Sequence, residues 1–377
     1  MINCQKFHKQ LEKNNIDFFT GVPDSLLKSF CAYIKDNVSN EKNIVAANEG
    51  NAIGLATGYY LATKKIGLVY MQNSGEGNII NPLASLADKL VYSIPMLLVI
   101  GWRGEPGKKD EPQHKKQGLV TTSLLDTMNV KYDILSEDTT DNNTEKILEN
   151  AYNYMSANNE PYALVIKKGT FEEYKLKDNR INDFEMSREE ALEILIDSMK
   201  ENSVIVSTTG MASREVFEIR ERRNEKHNKD FLTVGSMGHA SQIALGIALN
   251  KKEKDVYCVD GDGALIMHMG GMAIIGQNHP QNLKHVIINN GAHDSVGGQE
   301  TAGLNIDIAG IAKACGYNEC LSCSTKKELR EYLERLKLTK GPILLEIKVK
   351  KGARKDLGRP TTTPIENKEA FMQFLEK

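Results

Sequence analysis

Two short stretches of the chain carry the residue types that hold a divalent cation. The apolar run Asp255 to Val259 leads into Asp260-Gly261-Asp262-Gly263-Ala264, with a helical pattern from Leu265 onward, and a later run, His285 to Ile288, ends in Asn289-Asn290-Gly291-Ala292. Two glycines around an aspartate let the backbone turn tightly and approach a ligand, and the helix behind them offers unbonded N–H groups to an anion. The Asp262 carboxylate, the Asn290 side-chain oxygen and the Ala292 carbonyl are hard oxygen ligands of the sort Mg²⁺ takes, with phosphate oxygens and water completing the shell. Taken singly, Gly-Asp-Gly is a common turn and Asn-Gly a common hairpin element. Together, each after a strand, they point to a cation that ties a phosphate to the protein.

The elements that must position these residues alternate along almost the whole chain. Short apolar runs rich in β-branched residues are separated by helical patterns, which predicts an α/β protein with mostly parallel sheets. Strands are expected at Ile16 to Thr20, Ile44 to Ala47, Ile66 to Met71, Pro95 to Ile100, Val130 to Leu135 and Tyr162 to Ile166. A second set is expected at Val204 to Ser207, Phe231 to Val234, Asp255 to Val259, His285 to Ile288, Tyr317 to Leu321 and Pro342 to Ile347. Each half thus supplies about six strands. The weakly patterned stretch 171–186 precedes a capping box, Ser187-x-x-Glu190, so the domains are expected at 1–170 and 187–377 with a linker between them. Parallel sheets bind ligands at the carboxyl ends of their strands, so the loops after strands are where chemistry is expected.

Bulk properties exclude several classes. With 48 basic against 50 acidic side chains in 377 residues, no nucleic-acid partner is expected. The N-terminus lacks the layout of a secretory signal, and the apolar run Pro95 to Ile100 is far too short to cross a bilayer, so a cytoplasmic protein without membrane contact is expected. Six cysteines are too few for a disulfide scaffold, and Cys320-x-x-Cys323 near Cys315 lacks the further ligands of a zinc set. Gly75-x-Gly77 looks like half a dinucleotide fingerprint, but Ile80 stands where its third glycine belongs.

Gly261-Asp262-Gly263 followed by Asn289-Asn290 resembles the signature of the thiamin-diphosphate-dependent enzymes. The resemblance implies two thiamin-diphosphate-binding domains without a third domain between them, the first binding the pyrimidine and the second the diphosphate. It implies a cation, Mg²⁺ or another divalent ion, on Asp262, Asn290 and the Ala292 carbonyl, with Gly263 and Ala264 beside the diphosphate. Gly235-Ser236-Met237-Gly238 matches the family's stretch that bends the cofactor, so Met237 is expected beneath its rings, with Gly235 and Ser236 alongside. Thr209 and Gly210, in Thr208-Thr209-Gly210, are expected to donate to the diphosphate. In this family a glutamate at the start of a small-residue helix touches the pyrimidine N1′, and Glu49 in Asn48-Glu49-Gly50-Asn51-Ala52 fits. Helix dipole and burial would act on that carboxyl in opposite senses. Related enzymes build their sites between subunits, so a homodimer or larger homo-oligomer is expected.

The substrate is legible only through a loop. After Ile100 come Arg103, Lys108, Lys109 and His114, a local concentration of cations that suits a small, highly charged substrate. This loop, with Gly21-Val22-Pro23-Asp24-Ser25, Asn73-Ser74-Gly75-Glu76-Gly77-Asn78 and the stretch Asn289 to Gly298, resembles the 2-oxo acid decarboxylases that act on 3-phosphonopyruvate, with sulfopyruvate enzymes as close kin. The likeness implies loss of CO₂ from a small anionic 2-oxo acid, with carboligation as the rival outcome. His114, His293, Asp24 and Ser25 are the candidate proton donors. Some relatives carry a His-His pair where this chain has His114 before lysines, which leaves the donor open.

Overall fold

The computed structural model describes residues 1–177 and 182–377, so the centre of the expected linker, 178–181, lies outside the described residues. The chain divides into two compact units, Met1–Asn179 and Arg180–Lys377. Each contains one parallel sheet of six strands.

In the first unit the strands are β1 (Phe19–Gly21), β2 (Asn43–Val45), β3 (Gly67–Gln72), β4 (Met96–Gly101), β5 (Lys131–Leu135) and β6 (Tyr162–Ile166), in the order β2-β1-β3-β4-β6-β5. In the second they are β7 (Val204–Ser207), β8 (Asp230–Leu232), β9 (Val256–Gly261), β10 (Leu283–Asn289), β11 (Glu319–Cys323) and β12 (Ile343–Lys348), in the order β11-β12-β10-β9-β7-β8. All twelve expected strands are present. β1 begins later than the apolar run suggests, because the Ile16 N–H is spent on the Leu11 carbonyl in the turn after the first helix.

Helices cover both faces of each sheet, which is why the central strands are nearly continuous apolar runs. Along β3, Leu68 and Tyr70 join a core with Phe7 and Phe30, while Val69 and Met71 join another with Ile53 and Ala56. The second sheet divides its core in the same way, with Tyr257 and Val286 on one face and Cys258 and Ile287 on the other. Each fully buried Leu, Ile or Phe adds roughly 1.5–3 kcal/mol, enough in sum to fix strand register. Among the described residues no helix is long and apolar enough to cross a membrane.

Strand order determines where a ligand can sit. In the first sheet the chain leaves β1 toward β2 and returns on the other side at β3; in the second it leaves β7 toward β8 and returns at β9. At these reversals neighbouring connections run to opposite faces and leave a crevice beyond the strand ends. Asp24 and Gln72 lie at the first, Thr208 and Asp262 at the second. One expectation is corrected here: the helix predicted from Leu265 starts at Asp262, with Gly261 as its N-cap. β9 runs straight into the helix without a loop, so Asp262 sits on its first turn.

Close backbone approach also shapes the Arg103 loop. Gly104 adopts φ +69°, and a Cβ on Gly118, inside the helix Pro112–Thr127, would lie 1.7 Å from the Gly104 carbonyl oxygen. In an open helix a glycine-to-alanine change stabilises by about 1 kcal/mol. Here Gly118→Ala is expected instead to cost about 1–3 kcal/mol through overpacking, read as a lower denaturant midpoint. A stabilised variant would refute the contact.

Candidate active site

In the second unit the loop after β10 folds back over the end of β9. Thr301 N–H donates to the Gly291 carbonyl (2.9 Å) and His293 N–H to the Gln299 carbonyl (2.8 Å), leaving the Ala292 carbonyl outside that pairing. Asp262 is 2 % exposed. Burial pushes its carboxyl up to about 6, against hydrogen bonds from the Thr301 hydroxyl and from backbone N–H groups including that of Asn290. Gly303 permits this closeness, since a Cβ there would lie 2.6 Å from Asp262. The Asn290 side chain is held at both ends: its Nδ2 donates to Asp294 (2.6 Å), and its Oδ1 accepts from the Ala292 N–H (3.0 Å). Asp294 is anchored by the buried Arg188 (3.2 Å), which also grips Glu215 through two bonds of 2.7 and 3.0 Å.

The loops after β7 and β8 meet beside this group. Thr209 Oγ1 accepts from the Gly235 N–H (2.9 Å), and Gly210 has φ +100° at the start of the helix Met211–Arg222. Gly235, Ser236 and Gly238 all have positive φ (75°, 52° and 85°), a bend that carries the half-buried Met237 at its crest. The Thr208 hydroxyl and both polar atoms of the Gln299 amide are buried without a partner among the described residues. Gly263 packs on the His293 ring, 2.9 Å from where its Cβ would be, with the buried Ala264 next to it. Enclosure pushes His293 down to about 4, so it is neutral at physiological pH.

These observations fit the group the sequence implies. Hard oxygens from Asp262 and Asn290 stand together, a buried carboxyl pushed upward would be relieved by a cation, and unspent donors border a helix N-terminus suited to a phosphate.

The first unit assembles a second cluster at the carboxyl ends of β1, β3 and β4. Asp24 is fully buried and accepts from Gln72 Nε2 (2.6 Å) and the Leu26 N–H (2.9 Å); burial raises its pKa. Arg103 grips Asp110 through Nε (2.8 Å) and Nη2 (2.5 Å), and donates from Nη1 to Ser25 (2.8 Å). Although burial pushes the Asp110 carboxyl up, bonds from Arg103 and the Gly104 N–H hold it at about 2. Burial, then the charge on Arg103, lowers His114. Lys108 and Lys109 are exposed. The structure thus brings Asp24, Ser25, Arg103 and His114 together, finds the Arg103 charge already met by Asp110, and leaves the two lysines in solvent.

Glu49 opens the helix Glu49–Thr63 behind its N-cap Asn48, whose side chain accepts from the Asn51 N–H (2.9 Å). It is buried, receives a bond from Asn78 Nδ2 (2.7 Å), and lies 2.4 Å from where a Cβ on Gly75 would be.

Both halves match models of one family. Residues 207–347 match the thiamine pyrophosphate enzyme C-terminal TPP binding domain, and residues 5–125 match the N-terminal TPP binding domain. Phosphonopyruvate decarboxylase of Streptomyces viridochromogenes is 32 % identical over 94 % of this chain and 90 % of its own. The enzyme of the same name from Streptomyces hygroscopicus is 32 % identical over 99 % of this chain and 94 % of its own. The chain belongs to the phosphonopyruvate decarboxylase family of thiamin-diphosphate-dependent enzymes. Sulfopyruvate decarboxylase of Methanosarcina acetivorans is a more distant relative, 27 % identical over 99 % of this chain and 96 % of its own. As a member of the family the chain is an enzyme that uses thiamin diphosphate with a divalent cation.

One group that sequence reasoning passed over stands beside Glu49. Glu76, the first residue of the helix Glu76–Pro82, is 2 % exposed, and burial pushes its carboxyl up to about 8. Both of its oxygens are buried without a hydrogen-bond partner among the described residues, and the nearby Thr121, whose hydroxyl accepts from Asn73 Nδ2 (2.9 Å) and donates to the Gln117 carbonyl (2.8 Å), offsets the upward push only in part. The only hint in the sequence is a carboxyl inside a glycine-rich turn. Because the unfolded chain ionises this group near the ordinary glutamate value and the folded chain holds the proton to about 8, the stability it contributes is present in acid and lost as pH rises between the two. Glu76→Gln, isosteric and never charged, is therefore expected to melt above the parent at pH 8, with the gap closing toward pH 4.5. Melting curves across that range test this, and a constant gap would disprove it.

Proposed function

We propose that the protein decarboxylates 3-phosphonopyruvate to phosphonoacetaldehyde and CO₂, a step toward 2-aminoethylphosphonate. The observation that carries this reading is near full-length likeness to phosphonopyruvate decarboxylases in a chain whose buried Asp262 stands beside the oxygen-bearing Asn290 at the end of two neighbouring strands. The likeness to a sulfopyruvate decarboxylase, at lower identity, favours 3-sulfopyruvate as the second reading.

Bound thiamin diphosphate supplies an electron sink for the pair released when the bond between carboxylate and oxo carbon breaks. The chain has three tasks. The second unit would hold the cofactor: Asp262, Asn290 and the Ala292 carbonyl would take the cation, Thr209, Gly210, Gly263 and Ala264 would border the diphosphate, and Gly235, Ser236 and Met237 would support the rings. Glu49 would hold a proton at the pyrimidine N1′, with the bond from Asn78 fixing its carboxyl. The third task is to orient the substrate and deliver one proton to the former oxo carbon. The cationic loop of Arg103, Lys108, Lys109 and His114 draws in the anion without seating its head group, since Asp110 already meets the Arg103 charge; Asp24, Ser25, His114 and His293 are the groups available for the proton. Of these Asp24 is the carboxyl that burial favours in its protonated form, whereas both histidines are depressed.

Assembly as a homodimer or larger is supported by the helix after Glu49, where a Cβ on Gly54 or Gly58 would meet open space and Leu61 is 70 % exposed. Six unpaired thiols suit the reducing cytoplasm.

Aldehyde release from each oxo acid by protein loaded with thiamin diphosphate and Mg²⁺ is the direct test, and turnover of 3-sulfopyruvate alone would reverse the order of the two readings. Glu49→Gln should retain cofactor affinity and lose on the order of a hundredfold or more in kcat. Asp262→Ala should abolish metal-dependent cofactor binding. Since a cation needs the ionised carboxylate, parent affinity for Mg²⁺ should fall as pH drops below about 6. Flat Mg²⁺ affinity from pH 7 to 5 would remove Asp262 from the cation.

A further inference from the structure

A half-buried arginine needs a counter-charge, and in the second unit most have one. Arg188 meets Glu215 and Asp294, Arg220 meets Asp230 and Glu225, Arg223 meets Glu193 and Asp197, and Arg354 meets Glu189, Glu218 and Asp356. Arg214 differs. It lies in the first turn of the helix Met211–Arg222, its Nη1 meets the Met211 sulfur at 3.7 Å, and it forms no ion pair with a carboxylate among the described residues. Its partial burial lowers the guanidinium pKa, the mark of a charge that lacks a partner.

Arg214 lines a cleft of about 330 Å³ together with Met211, Asp294, Gly352, Lys355 and Leu357. That volume lies at the lower end of the roughly 300–1,000 Å³ typical of small-ligand sites. The cleft borders both parts of the cofactor site just described. Met211 follows Gly210 directly, and Asp294 holds the Asn290 side chain. Its far wall is fixed: Gly352 N–H donates to Asp294 (3.0 Å), Gly358 N–H to Glu218 (2.5 Å), and Arg354 is spent on its three carboxylates. Lys355 projects from this wall into solvent. The Asp294 carboxylate is already engaged by Arg188, Asn290 and Gly352, so Arg214 and Lys355 are the cations that the cleft leaves for a ligand.

We propose that this cleft receives the tetrahedral oxyanion head group of the substrate, with Arg214 as its main counter-charge and Lys355 as the second. The inference rests on the reading above, that the substrate is a small 2-oxo acid carrying such a group. It separates the head group from the Arg103 cluster, whose guanidinium is occupied by Asp110. The cofactor's diphosphate offers the same chemistry, and the experiment must tell the two apart.

The probe is 3-phosphonopropionate, which carries the head group and carboxylate but no oxo group and cannot turn over, titrated calorimetrically into the Mg²⁺ and thiamin diphosphate holoenzyme. Arg214→Gln is expected to weaken its binding roughly tenfold to hundredfold, the loss expected when a charged hydrogen-bond donor is removed. Arg214→Lys should recover part of that loss, and thiamin diphosphate affinity should stay at the parent value in both. In turnover the same variant should raise KM for 3-phosphonopyruvate while kcat changes little. Lys355→Gln should weaken 3-phosphonopropionate more than 3-sulfopropionate; equal weakening of both removes Lys355 from the assignment. Parent-like affinity for the probe in folded Arg214→Gln overturns the proposal, as does a loss confined to thiamin diphosphate, which would give Arg214 to the cofactor. Should Arg214→Gln fail to fold, Arg214→Lys carries the comparison, and parent-like probe affinity in that variant with weakened cofactor binding refutes the assignment. If the parent turns over neither oxo acid the functional reading falls, while the titration still decides whether Arg214 binds the head group.

Discussion

Burying the Asp262 carboxyl at the end of β9 sets the terms for everything around it. Desolvation opposes its charge, and the contacts that favour the anion come from its own backbone, from the fold-back of the loop after β10 and from the pairing of β10 with β9. The Thr301 hydroxyl reaches it only because Thr301 pairs with Gly291, and the Asn290 N–H only because β10 runs beside β9 as far as Ile288 against Gly261. Glycine is required at two points of this closure: side chains on Gly303 or Gly263 would strike Asp262 or His293. The parallel sheet makes the arrangement possible. With every strand running the same way, the ends of β7, β9 and β10 arrive at one edge, where a carboxylate, an amide and a helix N-terminus can share a ligand.

A chain of polar contacts extends the constraint outward. Asn290 leans on Asp294, Asp294 on Arg188 and Gly352, and Arg188 on Glu215. Groups that hold a metal ligand commonly set its orientation and contribute tenfold to hundredfold to metal affinity. Arg188 is nearly inaccessible, so removing one member of its pairs would leave a buried charge uncompensated, a loss of about 3–5 kcal/mol. The network is thus weak evidence for stability but strong evidence for fixed geometry. It also ties the loop that carries Asn290 to the segment at Gly352, so the cleft wall and the proposed metal ligand share one support.

Much of this was legible in the sequence, for reasons that are local. The strands announced themselves because parallel strands buried on both faces are continuous apolar runs, and Ser187-x-x-Glu190 forms the capping box it spells. Asp262, Asn290 and Glu49 were readable because their signatures lie within a few residues of a strand end or helix start. What stayed hidden was the pairing of charges. Arg103 read as an available cation, yet Asp110, seven residues on, takes it; Arg214 carries no sequence signal at all, yet the fold leaves it without an ion pair among the described residues. Glu76 was hidden for the same reason, since a sequence shows that a carboxyl exists but not that the fold buries both of its oxygens without a partner among the described residues. Charge identity is local information, whereas charge compensation is tertiary.

Compensation also bears on which head group the cleft suits. A phosphonate carries between one and two negative charges at neutral pH, a share of it being dianion, and a sulfonate carries one. A pair of unit charges about 4 Å apart near a protein surface attracts by roughly 4 kcal/mol, before the cost of desolvation. With Arg214 alone, the second charge of a dianion adds attraction but also a larger hydration shell to strip, so discrimination would be slight. A second cation alters that balance, because a dianion can engage both while a monoanion shares one charge between them. Lys355 lines the cleft as that second cation and is exposed enough that its contribution is screened by salt. Preference for the phosphonate should therefore be strongest at low ionic strength and narrow as salt rises, whereas selectivity built on shape would hold constant.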